Sequence, residues 1–452
     1  MESDRCTSRN RADLQALCVI FGVAVVVRVS FACTRQYVAA DTGLDVGSDG
    51  YELIAENLLA GRGYRFHPDL GETVSLTPAY PLFLAAIFAV FHGPTLWGVQ
   101  VAQAMLSSLT ACMTYLLGLR FSRRAAFVGG LMYALYPGDI VACSRYLAES
   151  LSIVAAVATV LIVQHLLEEP PKRLWGLALG FCFVVAVFSR AVHAMLPVLL
   201  LTIPLCLRTI RPHWRAYVRT YAVALLLLVA VSAVWCLRNY KLTGLVMFQS
   251  SNTGSTAFDG HYIGKHLGDG RTVRELLRAS RLRQCRIART QGIEAGCRFA
   301  IHFADPRDEA RLSRVLRAEV MNDVANEPWQ YIKRVSLGLG RFWYLGPTPT
   351  VSSVALAVHA PLLLLAAIAA CQAVRRRDPC VILWVAIILY YNMSSAIVNP
   401  LVRYALPAIP FVAALAGATV AGMWARMHLT ITSRAGAARK ERRVTAGKMA
   451  YP

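Results

Sequence analysis

The chain has 452 residues, 56% of them hydrophobic and 16% charged, and a formal net charge of +21 from 47 basic and 26 acidic side chains. Soluble domains carry about 25% charged residues, so a chain this apolar cannot cover itself with polar groups in water, and disorder, a collagen repeat and a small disulfide scaffold are excluded with it. A basic balance often marks a nucleic-acid partner, but the charge here is interleaved with long apolar runs that read as membrane spans, so no nucleic-acid partner is expected.

In chain order the apolar runs fall at 13–34, 78–92, 96–119, 124–143, 147–168, 173–190, 191–209, 217–237, 351–374, 379–398 and 402–425. The first is too long for a signal peptide, and Cys33-Thr34-Arg35 is a poor cleavage site. Four connections are basic: Arg120/Arg123/Arg124, Arg208/Arg211/Arg215/Arg219, Arg375/Arg376/Arg377, and the tail with Arg434, Arg439, Lys440, Arg442 and Arg443. Lys172 and Arg173 are offset by Glu168 and Glu169, while 35–77 is acidic, with Asp41, Asp45, Asp49, Glu52, Glu56, Asp69 and Glu72. If every run spans, the basic connections fall on both sides of the membrane, against the positive-inside rule. Demoting only 78–92, short and bearing Pro78 and Pro81, puts every short basic connection in the cytoplasm.

The expected fold is therefore all-α and polytopic, with about ten membrane helices, both termini cytoplasmic, and 78–92 lying as a helix on the outer face of the plasma (inner) membrane. The segments are 1–34 (tail and first span), 35–95 (first outer loop with juxtamembrane helices), 96–237 (transmembrane bundle), 238–350 (long outer loop), 351–425 (C-terminal spans) and 426–452 (basic tail). Basic connections and tail can meet anionic lipid headgroups. In the long loop Leu312, Leu316, Val320 and Val324 recur at helical spacing. Most cysteines sit in apolar runs, where a thiol is a small hydrophobe. Cys285 and Cys297 alone share one polar segment; the residues leave a bridge and two free thiols open and favour the thiols.

The residues that could carry chemistry gather on the outer side. The stretch 50–60 reads as a short helix, with Leu53, Ile54, Asn57 and Leu58 on one face and Gly61 as its stop. Asp49 then has two readings, a helix N-cap or a reactive carboxylate. Glu149 opens an apolar run, where a carboxylate is expensive unless it faces protein or water; it reads as an interfacial cap or as a second carboxylate of a site. Arg190, Arg238 and Arg403 sit at span ends on the side where the positive-inside rule does not put them. Snorkelling explains any one of them, but several at one depth suit an anion at the lipid interface, because guanidinium matches phosphate by its planar fork. No GxxxxGK[ST], GxSxG or HExxH occurs.

Taken together, Asp49-Gly50-Tyr51, Ala55-Glu56-Asn57-Leu58-Leu59, Gly61-Arg62-Gly63-Tyr64, Pro78-Ala79-Tyr80-Pro81, Gln103, Tyr136-Pro137, Glu149-Ser150-Leu151, Ser189-Arg190, Arg238-Asn239-Tyr240, Glu327-Pro328-Trp329 and Arg403-Tyr404-Ala405-Leu406-Pro407 resemble the integral-membrane glycosyltransferases of the GT-C fold. The likeness is to bacterial polyprenyl-phosphate sugar transferases, related to protein O-mannosyltransferases and the lipid A aminoarabinose transferase. It implies an inverting transfer of a sugar from a polyprenyl-phosphate donor to a hydroxyl of a glycan, lipid or protein acceptor, at the extracytoplasmic face of the cell envelope. It implies Asp49 as general base and Arg238 and Arg403 as holders of the carrier phosphate. Glu149 is implied to orient or polarise the acceptor, with Tyr404 and Arg190 as further contacts. No cofactor is assigned, though His261 with Glu72 could hold a divalent cation as in the aminoarabinose enzymes. The sequence departs from relatives at Gly50, where a second acid is common, at Leu76-Thr77, where a base is common, and at Ser251-Asn252-Thr253-Gly254-Ser255, a loose match to an Asn/Gly-rich stretch. A polysaccharide ligase or polymerase using a lipid-linked glycan is the nearest rival. A lipid or sugar transporter is disfavoured, because the spans hold little charge at mid-depth and Arg28 lies near a span end.

Overall fold

A backbone inside lipid must satisfy its own hydrogen bonds, which leaves helices as the means of crossing for a chain patterned like this one. The computed structural model describes residues 2–42, 49–169, 173–206, 214–296 and 302–448. Asp45, Lys172, Arg208, Arg211 and Cys297 lie outside the described residues, as do the side chains of Asp41, Arg173 and the basic tail after His428.

The chain opens with α1 (Glu2–Thr42), followed by the short helices α2 (Tyr51–Leu59) and α3 (Ala79–Val90). Next come α4 (Leu96–Gly118), α5 (Arg123–Ala134), α6 (Pro137–Cys143), α7 (Glu149–Glu168), α8 (Arg173–Ser189), α9 (Leu196–Cys206) and α10 (Trp214–Thr243). The long hydrophilic segment folds into α11 (Asn252–His266), α12 (Val273–Thr290), α13 (Pro306–Asn326) and α14 (Pro328–Arg341). A two-residue antiparallel pair, β1 (Ala295–Gly296) with β2 (His302–Phe303), sits between α12 and α13. The chain ends in α15 (Pro349–Arg375), α16 (Pro379–Val398) and α17 (Ile409–Lys448).

Among the described residues seven helices are long and apolar enough to cross a membrane, or eight if α5 and α6, bent by 50°, count as one span. The bend falls at Tyr136-Pro137, where the helix must restart because proline cannot continue it. The described part of the tract 173–209 folds as two shorter apolar helices, Leu174–Ser189 and Ala191–Cys206, where two spans are expected. Arg190 between them is extended, at φ −150° and ψ 132°. The demotion of 78–92 holds, since α3 has 12 residues and is roughly 18 Å long, too short for a hydrocarbon core of about 30 Å.

Several of the charged connections meet at one end of the bundle. There Arg120 pairs with Glu168 and Asp378, each at 2.9 Å, and Arg123 with Asp13 at 2.8 Å, which brings three connections and the start of the first span together. At the other end lie α2, α3 and the long segment, in which Leu312 and Leu316 of α13 pack on Phe258 and Ile287. Cys285 of α12 is disulfide-bonded, which corrects the free-thiol reading. Arg28, read from the sequence as lying near a span end, is in the bundle interior. It is buried with Asp139 at 2.7 Å, donates to Ser107 Oγ and to the Ala134 carbonyl at 2.7 Å each, and ties α1 to α4 and α6. A charge kept from water requires this matching.

Helices α5 and α17 pack backbone to backbone through small residues, as helices in lipid do. A Cβ on Gly417 would lie 2.5 Å from Gly129 N and 2.6 Å from Ala125 O. Overpacking a tight contact costs roughly 1–3 kcal/mol. Gly417→Val should therefore lower the thermal midpoint of the purified protein, read by differential scanning fluorimetry, while Gly422→Val, with open space around the site, leaves it unchanged.

Candidate functional site

The site is assembled from chain breaks. At the first, Gly50 adopts the left-handed conformation (φ 86°, ψ 9°) and is itself the N-cap of α2, with no side-chain cap bond. A Cβ there would sit 2.9 Å from Phe66 Cε1, so the turn calls for glycine. Asp49 is thus displaced from the capping position that one sequence reading gave it. Its half-exposed carboxylate accepts instead from Arg403 Nη2 at 2.8 Å. Helix α2 buries Tyr51, Ile54, Ala55 and Asn57.

Glu149, at the first turn of α7, is 1% exposed. It accepts hydrogen bonds from Arg190 Nη1 and Arg403 Nε, with Arg403 Nη2 at 3.4 Å from its second oxygen. Arg190 comes from the break between α8 and α9, and Arg403 from a 3-10 turn, Val402–Ala408, ahead of α17. The Arg190 guanidinium lies 5.2 Å from the centroid of the Tyr404 ring. Asp49, Glu149, Arg190, Arg403 and Tyr404, distant in sequence, therefore form one cluster: a buried carboxylate, two guanidiniums over it, and an accessible carboxylate at its edge. Arg403 Nη1 and Arg190 Nε and Nη2 carry no hydrogen bond among the described residues, so donors remain for an anion.

Sequence reasoning missed the aromatic wall behind this cluster. Tyr51 packs edge-on to Tyr80 at 4.9 Å, and burial and the Asp49 charge push its phenol up. Tyr80 Oη donates to Gln103 Oε1 at 2.7 Å. Gln103 Nε2 donates to the carbonyls of Cys143 and Arg145, at 2.9 and 2.7 Å, and so holds the hairpin that leads to Glu149. Tyr51, Tyr80 and Gln103 belong to the stretches that carry the family resemblance; nothing in their spacing marked them as neighbours.

Arg238 lies in a second cluster. It pairs with Glu72 at 3.0 Å, donates to the Thr73 carbonyl at 2.8 Å, and lies 5.1 and 4.8 Å from the Tyr64 and Trp235 ring centroids. Thr73 and Val74 are held in turn by Glu309, a buried carboxylate that also accepts from Ser251 Oγ at 2.8 Å. The pairing of His261 with Glu72 as cation ligands does not hold. His261 meets Asp323 at 3.0 Å, while Glu72 is matched by Arg238. Among the described residues no group of three His, Cys, Asp or Glu side chains could hold a metal ion.

Residues 75–236 match the model of the dolichyl-phosphate-mannose-protein mannosyltransferase family. No curated protein matches the chain. Among solved structures, the oligosaccharyltransferase AglB of Archaeoglobus fulgidus, in complex with an inhibitory peptide and a dolichol-phosphate, superposes with a TM-score of 0.51 at 12% identity, over 95% of this chain and 52% of that one. The chain has the GT-C fold of membrane glycosyltransferases. It spans about half the length of the AglB chain. ArnT of Cupriavidus metallidurans bound to undecaprenyl phosphate aligns over 89% of this chain and 77% of its own, at 16% identity and a TM-score of 0.40.

Two expectations follow from the burial of these carboxylates. Removing one partner of a buried ion pair costs roughly 3–5 kcal/mol, so Glu149→Ala, which strands two guanidiniums, should lower the thermal midpoint far more than Asp49→Ala at the accessible edge. The second concerns Asp259 of α11, which accepts from Ser280 Oγ and Gln284 Nε2 at 2.6 and 2.7 Å. Burial pushes its carboxyl up from 3.8 to about 6, against the weaker opposing pull of those bonds and of Arg281. The folded state then holds a proton that the unfolded chain has lost, so this group's contribution to stability falls as pH rises from about 4 to about 6. Asp259→Asn should flatten that part of a melting-against-pH curve.

Proposed function

We propose that the protein is an inverting membrane glycosyltransferase that moves a sugar from a polyprenyl-phosphate carrier to an acceptor hydroxyl. The reading places the site at the extracytoplasmic face of the inner membrane, with both termini in the cytoplasm. The observation that carries it is Arg403, held at once by the buried Glu149 and the accessible Asp49, with Arg190 beside it. The arrangement supplies the two things such a transfer needs, an anion site for the leaving phosphate and a carboxylate next to it for the attacking hydroxyl.

In this reading the acceptor oxygen attacks the anomeric carbon and its proton passes to the Asp49 carboxylate, a base that needs only to be ionised and within hydrogen-bond reach. The bond from the anomeric carbon to the phosphate oxygen breaks on the opposite side. The charge gathering on the phosphate is met by the free donors of Arg190 and Arg403, already in place and needing no reorganisation. Glu149 has no access to an acceptor. Its part is to hold two like charges together, and Tyr404 supports Arg190 from below. Arg238, matched by Glu72 and lying against the rings of Tyr64 and Trp235, lines the approach of the carrier from the neighbouring cluster.

Asp49→Asn keeps the side chain's size and removes its basicity. The purified variant, given a panel of polyprenyl-phosphate monosaccharides, should release free carrier about 10²–10⁴-fold more slowly than wild type, the usual worth of a general base. Wild-type turnover by Asp49→Asn would remove Asp49 from this role. Release from lipid-linked oligosaccharides alone would favour the ligase reading.

A further inference from the structure

A small cavity of about 30 Å³ lies where α11, α14 and the end of α16 meet. Its lining includes His261 and Gly264 of α11, Arg334 and Arg341 of α14, and Ile397 of α16, and it holds no carboxylate. We propose that this cavity binds the phosphate of an anionic membrane phospholipid, in the leaflet on the side of the reactive cluster. The inference goes beyond the transfer proposed above and does not rest on it.

The lining selects the ligand. Arg334 and Arg341 are seven residues apart and share one face of α14. Neither has an ion pair among the described residues. Arg334 Nε and Nη1 are shut off from solvent and make no hydrogen bond. Buried donors left empty are costly, and guanidinium suits phosphate. His261 is buried, its ring 8% exposed, and its Nε2 meets Asp323 at 3.0 Å. Nδ1 is left without a partner. With Nε2 donating to that carboxylate, Nδ1 holds a lone pair, which suits a hydroxyl beside the phosphate. A water would satisfy a donor but would leave two charges unmatched. A headgroup that carries a cation of its own would meet two guanidiniums and no acid, so the ligand bears a net negative charge. The cavity is too small for a sugar ring.

Position selects a lipid. Ile397 is exposed, as are Met393 and Leu389, one and two turns back along α16. On a membrane helix such a flank faces acyl chains. Helix α14 exposes Trp329, Ile332 and Leu339 along one side and carries its two arginines on the other, the pattern of a helix lying in the membrane interface, with a tryptophan where interfaces favour one. Its depth agrees. Tyr331 Oη donates to the Ile397 carbonyl at 3.3 Å, and Asn392 Nδ2 donates to the Leu339 carbonyl at 3.2 Å. Helix α14 therefore lies along the last turns of α16, over roughly 8 Å at 1.5 Å per residue, and interfacial helices sink about 5–10 Å. A phospholipid at this place sets its phosphate in the cavity and its chains along Ile397, Met393 and Leu389.

The test is native mass spectrometry of the full-length protein in detergent, titrated with dioleoyl phosphatidylglycerol, whose headgroup has one phosphate charge and free hydroxyls. Dioleoyl phosphatidylcholine, undecaprenyl phosphate and inorganic phosphate serve as competitors. Phosphatidylglycerol should occupy one tight site, and phosphatidylcholine should bind at least about tenfold more weakly, the worth of a hydrogen bond to a charged group. Arg334→Gln should weaken phosphatidylglycerol by about tenfold. Gly264→Leu should do the same while keeping every charge, because it fills the cavity; a Cβ there meets only the Arg334 side chain, at 3.4 Å from Cδ. Should either variant fail to fold, the other decides the matter. No tight phosphatidylglycerol site, equal binding of phosphatidylcholine, or wild-type binding by Arg334→Gln would each overturn the site. Wild-type binding by Gly264→Leu would reduce it to diffuse charge attraction and overturn it too. Displacement by inorganic phosphate at equal concentration would make the ligand a free anion, and preference for undecaprenyl phosphate would make it the carrier; either result overturns the phospholipid. None of these outcomes bears on the role of Asp49.

Discussion

The site depends on one buried carboxylate. Two guanidiniums repel each other, and neither Arg190 nor Arg403 belongs to a regular helix that would fix it. Glu149, shut away from water at the first turn of α7, gives both a common partner. It has little choice of partners itself, because an unpaired charge there would be far costlier than the pair. The arginines are aimed by Glu149, and the accessible Asp49 is aimed by Arg403. The arrangement is built from the inside outward, with the solvent-facing carboxylate last.

The elements that deliver these residues are places where helices stop. Arg190 stands in the extended break between α8 and α9, Arg403 in a 3-10 turn, and Asp49 just before a glycine whose left-handed backbone starts α2. Breaks at one end of a membrane bundle free backbone and side chains to face a polar ligand, and breaks of this kind are tolerated where they are buried in protein or line a cavity. The uninterrupted helices serve as the frame. Glycine and alanine bring α5 against α17, and the buried Arg28–Asp139 pair joins α1 to the bent α5–α6 segment.

The long hydrophilic segment is tied to this end of the bundle by polar contacts as well as by packing. Glu309 takes hydrogen bonds from Thr73, Val74 and Ser251, which joins α13 to the stretch that also holds Arg238 and Glu72. A strap of this kind sets the position of the long segment relative to the reactive cluster.

Composition and charge order alone decided that the chain crosses a membrane many times and that 78–92 does not span. Each follows from transfer energies summed over many residues, which tertiary contacts do not alter. The arginines at span ends and the Asp49 stretch were legible for the same reason, since charge beside an apolar run is anomalous in a single dimension. What only the tertiary structure decided was partnership. It showed that Asp49 does not cap α2, that Arg238 belongs to Glu72 and the rings of Tyr64 and Trp235, that His261 goes to Asp323, and that residues 174–206 are two short helices that meet at an arginine. Those outcomes turn on distances between segments up to several hundred residues apart, set by helix packing and by the need of each buried charge to find an opposite one. Local sequence carries no record of which opposite charge that is.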